Sequence, residues 1–167
     1  MNNLFFSFRE DVQPSDLEVI RNIVFSSGFF SKEEVEIAVE LAQERLKSGA
    51  GSGYYFLFIE KDKEVIGYTC FGPISGTKSS FHLYWIAVHK NFRGLGIGRT
   101  LLSQCETIIS NMGGFRIYAE TSSREQYKPT RRFYQLCGYK KEAILKDFYD
   151  LNDSQVIYVK VLDNNGT

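Results

Sequence analysis

Neither sign of charge is in surplus in this sequence: 20 lysines and arginines stand against 20 aspartates and glutamates over 167 residues. A zero balance argues against a protein that grips long nucleic acid by its phosphates, so any bound anion needs a local device. Long apolar runs are also missing. "FHLYWIAV" at 81–88 is far too short to cross a bilayer. "MNNLFFSFREDV" lacks the basic head and extended apolar stretch of a secretory signal. Cysteine is sparse: Cys70, Cys105 and Cys137 are odd in number and widely spaced, with neither a CxxC pair nor a Cys/His cluster. That pattern predicts a reduced, cytoplasmic setting and no metal site. Internal repeats and low-complexity segments are absent as well.

What is present has the balance of a globular chain, with 43% apolar and 24% charged residues. The length suits a single domain over residues 1–167. "LFFSFREDV" reads as a first strand. Leu17, Ile20 and Val24 then recur at helical spacing after Pro14. Ser31 with Glu34 forms a capping-box pattern, opening a second helix whose Val35, Ala38, Leu41 and Ala42 share a face. "YYFLFIE" and "EVIGYTCFGPI" make a hairpin across "KDK". "FHLYWIAV" is a strand expected to be buried on both faces. After a glycine-rich stretch, Leu101, Leu102, Cys105, Ile108, Ile109 and Met112 trace a helix that stops at Gly113–Gly114. "FRIYAETSS" is a strand, 125–137 a helix, and "KKEAILKDFY" and "QVIYVKVL" two final strands. The order β-α-α-β-β-β-α-β-α-β-β describes an α/β layered domain with a mixed sheet.

"NFRGLGIGRT" at 91–100 carries the clearest chemical signal. A strand, a glycine-rich loop and a helix in succession make an anion site, because first-turn N–H groups have no partner inside the helix and the helix dipole favours negative charge there. Gly94, Gly96 and Gly98 let main chain approach a bulky ligand, and Arg93 and Arg99 add charge. A phosphate or pyrophosphate is the expected guest. The P-loop string GxxxxGK[ST] does not occur. The dinucleotide fingerprint GxGxxG fails at its last position from either Gly94 or Gly96, although Glu120 stands at about the distance of a ribose-binding acid. A plain glycine-rich connection is the remaining reading.

"IAVHKNFRGLGIGRTLL" resembles motif A of the GNAT acetyltransferases, [QR]-x-x-G-x-[GA] at a helix start, with Arg93, Gly96 and Gly98 in its fixed places. "RRFYQLCGYKKEA" is similar to the family's F-Y-x-x-x-G-F segment through Phe133, Tyr134, Gly138 and Tyr139. The resemblance implies a mixed, mostly antiparallel sheet of about seven strands, flanked by about four helices, with one strand pair splayed for the cofactor. It implies acetyl-CoA as cosubstrate and no metal. Backbone groups of Ile86, Ala87 and Val88 would pair with the pantetheine amides. N–H groups of Gly94, Leu95, Gly96, Ile97, Gly98 and Arg99 would hold the pyrophosphate. Many relatives carry an asparagine at the place of Tyr127; Thr121 or Ser122 hydroxyls would substitute for that contact.

Moving an acetyl group from a thioester to an amine requires a base for the amine, stabilisation of an oxyanion, and a proton for the departing thiolate. The resemblance gives Tyr134 the last role, against a plain packing role on its helix. His82, eleven residues before Arg93, stands where some family members carry a catalytic glutamate, and an imidazole suits proton removal at neutral pH. Glu120 is the second candidate, and a chain of waters the third. The cysteines read as core residues, and Arg131–Arg132 as solvated helix surface with one guanidinium within possible reach of a CoA phosphate. The expected acceptor is a primary amine of a small molecule or peptide, met by Phe25, Phe29 and Phe30 and by Asp147, Asp150 and Asp153. Those phenylalanines otherwise plug the core, and those aspartates otherwise mark an exposed turn. Neither nucleic acid nor membrane is expected as a partner, and a homodimer is left open. A non-catalytic acetyl-CoA sensor or interaction module is the competing class.

Overall fold

The computed structural model describes residues 5–163. Leu4, where the first strand was expected to open, lies outside them. The chain divides into two compact units: one holds the residues up to Gly72 together with Trp85–Cys105, the other Pro73–Tyr84 together with Glu106 onward. The strands, in chain order, are β1 (Phe6–Arg9), β2 (Tyr55–Lys61), β3 (Glu64–Pro73), β4 (Ser80–Val88), β5 (Arg116–Ser122), β6 (Lys140–Asp150) and β7 (Asp153–Val161). The helices are α1 (Asp16–Ser26), α2 (Lys32–Ser48), α3 (Ile97–Asn111) and α4 (Lys128–Leu136). The seven strands form one mixed sheet in the order β1-β2-β3-β4-β5-β7-β6, so the expected layered α/β architecture and element order hold.

In the first unit, β1, β2 and β3 pair antiparallel. Asp62 and Lys63 both take positive φ, 52° and 70°, the two-residue hairpin turn whose twist matches that of its strands. Phe56, Phe58 and Tyr68 stack with ring centroids 5.9–6.2 Å apart and are buried. α1 contributes Ile20, Ile23 and Val24 to the core, and α2 contributes Val35, Ala38, Val39 and Ala42. The capping box is present: Ser31 Oγ accepts from Glu34 N at 3.2 Å, and Ser31 N donates to Glu34 Oε2 at 2.7 Å. Arg9 lies over the Phe58 ring and donates to both Asp16 carboxylate oxygens and to Glu60. A buried carboxylate such as Asp16 is tolerable because it is paired in this way.

The second unit holds the parallel pairing. Ser80–Leu83 of β4 lie against Arg116–Ala119 of β5, and β5 continues antiparallel to β7, which pairs with β6. Phe81, Leu83, Ile117, Ala119, Val156 and Tyr158 are buried. A Cβ on Gly114 would stand 2.3 Å from Ile109 Cγ2 and 2.8 Å from Phe81 Cδ2, so the end of α3 reaches β4 only because that side chain is missing.

The structure corrects one expectation about β4. Only Phe81 and Leu83 are buried; His82, Tyr84 and the residues through Val88 are partly exposed. In its first half, His82 and Tyr84 alternate with the buried Phe81 and Leu83, so one face is covered and the other half-open; from Tyr84 to Val88 every residue is partly exposed.

Candidate active site

In the first unit, β4 runs out through Ile86, Ala87 and Val88 into a turn at Lys90–Phe92. His89 N donates to Ile66 O at 2.8 Å, which fixes the departure from the sheet. Arg93 does not project freely from this bend: its Nε donates to Val88 O at 3.2 Å, closing the loop on itself. Gly94 and Gly96 both take φ of 77°, a left-handed backbone that other residues adopt at a cost. No protein atom lies within 4 Å of a Cβ built on either, so neither glycine is there to relieve a clash within the fold. α3 opens at Ile97, which is buried, while Leu95 is 60% exposed. Gly98 therefore belongs to the helical first turn rather than to the loop. Ile97, Gly98 and Arg99 lie in that first turn, where main-chain N–H groups have no partner inside the helix. This main chain fits a phosphate-bearing group.

In the second unit the two rival bases come together. His82 Nε2 lies 3.3 Å from Glu120 Oε1, with side chains 25% and 32% exposed. The register explains this. His82 pairs opposite Tyr118, so it shares a sheet face with Tyr118 and, two residues on, with Glu120. Tyr84 continues the row, its ring centroid 4.7 Å from that of His82. The far oxygen of Glu120 accepts from Gln155 Nε2 at 2.8 Å, and the same amide donates to Tyr149 Oη at 3.3 Å. Burial, reinforced by the Glu120 and Asp153 charges and opposed by the Gln155 hydrogen bond, raises the Tyr149 phenol above the ordinary tyrosine range. Gln155 and Tyr149 carry no motif. The one trace of Gln155 in the sequence is a polar residue at the start of the apolar stretch "VIYVKV".

Tyr134 is buried on α4, its ring 5.5–5.7 Å from Tyr139, Tyr158 and Phe133. Tyr158 pairs opposite Ala119, so it faces away from Glu120. Tyr134 and the His82–Glu120 pair thus belong to opposite faces of the sheet. Thr121 is buried on the Ala119 face. The Ser122 hydroxyl donates to Asp153 Oδ1 and accepts from Arg124 N, so it is engaged within the fold. Arg131 is not loose surface: it donates to the carbonyls of Ser122 and Arg124 at 2.7 and 2.8 Å, tying the end of β5 to α4.

The acceptor candidates divide. Phe30 packs on Trp85, centroids 5.1 Å apart, while Phe25 and Phe29 are 68% and 40% exposed. Phe25 lines a cleft of about 980 Å³ with Arg9, Lys63, His89 and Phe92, a cleft that includes none of the expected catalytic or cofactor residues. Asp147 and Asp150 accept from the backbone N–H groups of Asn152 and Leu151 and so shape the β6–β7 turn. Asp153 is buried against Arg124. Cys70 and Cys105 are buried, and burial pushes the Cys70 thiol well above the ordinary range. That is the reverse of what a nucleophilic thiol requires. Among the described residues no helix is long and apolar enough to cross a membrane.

The first unit thus holds a glycine-bent main chain at a helix start, and the second an imidazole beside a carboxylate. Comparison with known proteins gives the class. The family model of the GNAT acetyltransferases matches residues 17–139. An uncharacterised N-acetyltransferase of Methanocaldococcus jannaschii is 28% identical over 145 residues, covering 81% of this chain and 90% of its own. A crystal structure from Desulfovibrio desulfuricans, assigned to the GNAT acetyltransferases, is 41% identical with a TM-score of 0.92, covering 94% of this chain and 99% of its own. An acetyltransferase fold of Salmonella typhimurium, solved with its cofactor acetyl-CoA, superposes with a TM-score of 0.72 at 18% identity, covering 97% and 96%. The chain belongs to the GNAT acetyltransferase family and is an acetyltransferase by class.

Proposed function

We propose that this acetyltransferase moves an acetyl group from acetyl-CoA directly to a primary amine of a small molecule or peptide. The observation that carries the reading is the His82–Glu120 pair, 3.3 Å apart on a half-open sheet face. The family supports acetyl-CoA as the donor, and the left-handed Gly94 and Gly96 before the first turn of α3 fit its pyrophosphate. Main-chain groups of Ile86, Ala87 and Val88, the N–H groups from Gly94 to Arg99, and the Thr121 side chain would hold it.

Acetyl-CoA supplies the thioester, whose C–S bond breaks as a C–N bond to the amine forms. The chain supplies the proton transfers. His82 Nε2 lies 3.3 Å from Glu120 Oε1; with that nitrogen turned to the carboxylate, Nδ1 is the one left to take the amine proton. The carboxylate then faces the imidazolium and stabilises it, the role of the third group in an oriented acid–base pair. Tyr134 Oη gives its proton to the departing sulfur; as the cycle closes, the imidazolium releases its proton to water and Tyr134 regains one, so neither side chain is changed. No acyl–enzyme step is needed, in keeping with the burial of Cys70 and Cys105.

The test is release of free CoA thiol against a panel of amines, followed through the pH dependence of kcat/KM. With His82 as base, kcat/KM rises with pH through one acid limb, and His82→Ala removes that limb. A limb that survives His82→Ala and vanishes in Glu120→Gln makes Glu120 the base. A protein that binds acetyl-CoA tightly yet releases no CoA with any amine is the sensor instead.

A further inference from the structure

We propose that Gln155 is a positioning residue for the proposed base, holding the Glu120 carboxylate so that one oxygen is always turned to His82. The inference rests on the His82–Glu120 reading of the active site.

The geometry is a row across three neighbouring strands. His82 comes from β4, Glu120 from β5 and Gln155 from β7. Register partners His82–Tyr118 and Ser122–Gln155 place all three side chains on one face. Glu120 meets a nitrogen at each oxygen: His82 Nε2 stands 3.3 Å from Oε1, and Gln155 Nε2 donates to Oε2 at 2.8 Å. A carboxylate on a partly exposed strand otherwise turns about its terminal torsions, which are soft. One fixed oxygen removes that freedom and leaves the other in place for the imidazole. Gln155 is 5% exposed, so its amide is costly to bury without partners, and both Nε2 contacts go to this cluster. Nε2 only donates, so what it meets at Oε2 is an acceptor lone pair. Its second contact, to Tyr149 Oη at 3.3 Å, uses an oxygen lone pair and leaves the phenolic proton directed elsewhere. Gln155 neither gains nor loses a proton in the cycle. It acts through Glu120.

Two variants separate positioning from packing. Gln155→Met keeps volume and removes the donor, while Gln155→Glu keeps shape and puts a second carboxylate beside Glu120. Folding is checked by thermal melt and by acetyl-CoA affinity. Gln155→Met, which buries no new charge, is expected near wild type in both. Gln155→Glu is expected to melt lower, because it sets a carboxylate against Glu120, yet to remain folded. The expected result is a kcat reduced about tenfold in Gln155→Met with acetyl-CoA affinity changed less than twofold, the signature of a lost oriented acid–base contact. In Gln155→Glu the acid limb of kcat/KM moves to higher pH, because a like charge beside the pair disfavours loss of its proton. The same upward displacement is expected in the NMR titration of the His82 ring, a readout that needs no acceptor. A folded Gln155→Glu protein with an unmoved His82 titration and an unmoved limb overturns the proposal. If the profile of the wild type is indifferent to both His82→Ala and Glu120→Gln, it is the base assignment that fails; an effect of those two without any effect of Gln155 defeats the positioning role alone.

Discussion

Residues 94–99 offer main-chain donors, whereas the row of His82, Glu120 and Gln155 is made of side chains from three strands. The first depends on backbone conformation: Gly94 and Gly96 at φ of 77° and the opening of a helix at Ile97. The second depends on register: His82 opposite Tyr118, Ser122 opposite Gln155. A site made of main chain responds to any change that alters φ and ignores many that alter chemistry. A site made of side chains behaves the other way round.

The sharpest way to break that contrast is Tyr134→Phe. The ring still packs on Tyr139 and Tyr158, and only the hydroxyl is lost. If Tyr134 protonates the leaving thiolate, kcat falls on the order of 10²-fold, about 2.7 kcal/mol, with acetyl-CoA affinity nearly intact. Full turnover in steady-state kinetics would return Tyr134 to packing. Next comes Gly96→Val, which places a β-branched residue in a left-handed conformation and should weaken acetyl-CoA binding by at least about tenfold, or 1.4 kcal/mol, by calorimetry. Gly96→Asn refines this, since asparagine accepts positive φ more readily and no protein atom opposes its Cβ. Weakened binding in a stable Gly96→Asn protein traces to ligand approach; unchanged affinity in both variants removes the pyrophosphate assignment. The smallest effect belongs to Leu95→Ala, expected within about twofold of wild type in acetyl-CoA affinity because Leu95 offers main chain and its side chain is exposed. A loss as large as that of Gly96→Val would show that the cradle reads side chains after all.

The same contrast explains what could be read from the residues alone. The glycines at 94 and 96, the capping box at Ser31 and Glu34, and the apolar faces of α1–α3 are local signals, each complete within a few positions, and the fold follows from them. Gly98 falls in the first helical turn, in keeping with a motif that stands at a helix start. The burial of β4 on both faces was inferred from an apolar run. His82 and Tyr84 interrupt that run, and the half-open face they make carries the proposed chemistry. His82 and Glu120 were each visible, but as rivals 38 residues apart; only the parallel register of β4 on β5 makes them one pair. Gln155 left only the trace of a polar residue before an apolar stretch, and Tyr149 none. Their role is defined by hydrogen bonds to a residue on another strand, and nothing in a glutamine's own neighbourhood records such a partner. Asp153 and Ser122 likewise looked like turn and cofactor residues until their mutual hydrogen bond accounted for both.

The conformation of Gly94 and Gly96 has a consequence for which substitutions the loop tolerates. If the ligand is held by peptide groups, the residue between the two glycines is nearly free: substitutions at Leu95 are expected to leave acetyl-CoA binding intact, and most of those at Gly94 and Gly96 to weaken it. A saturation library across 93–99, sorted for acetyl-CoA retention, would show two closed positions flanking an open one.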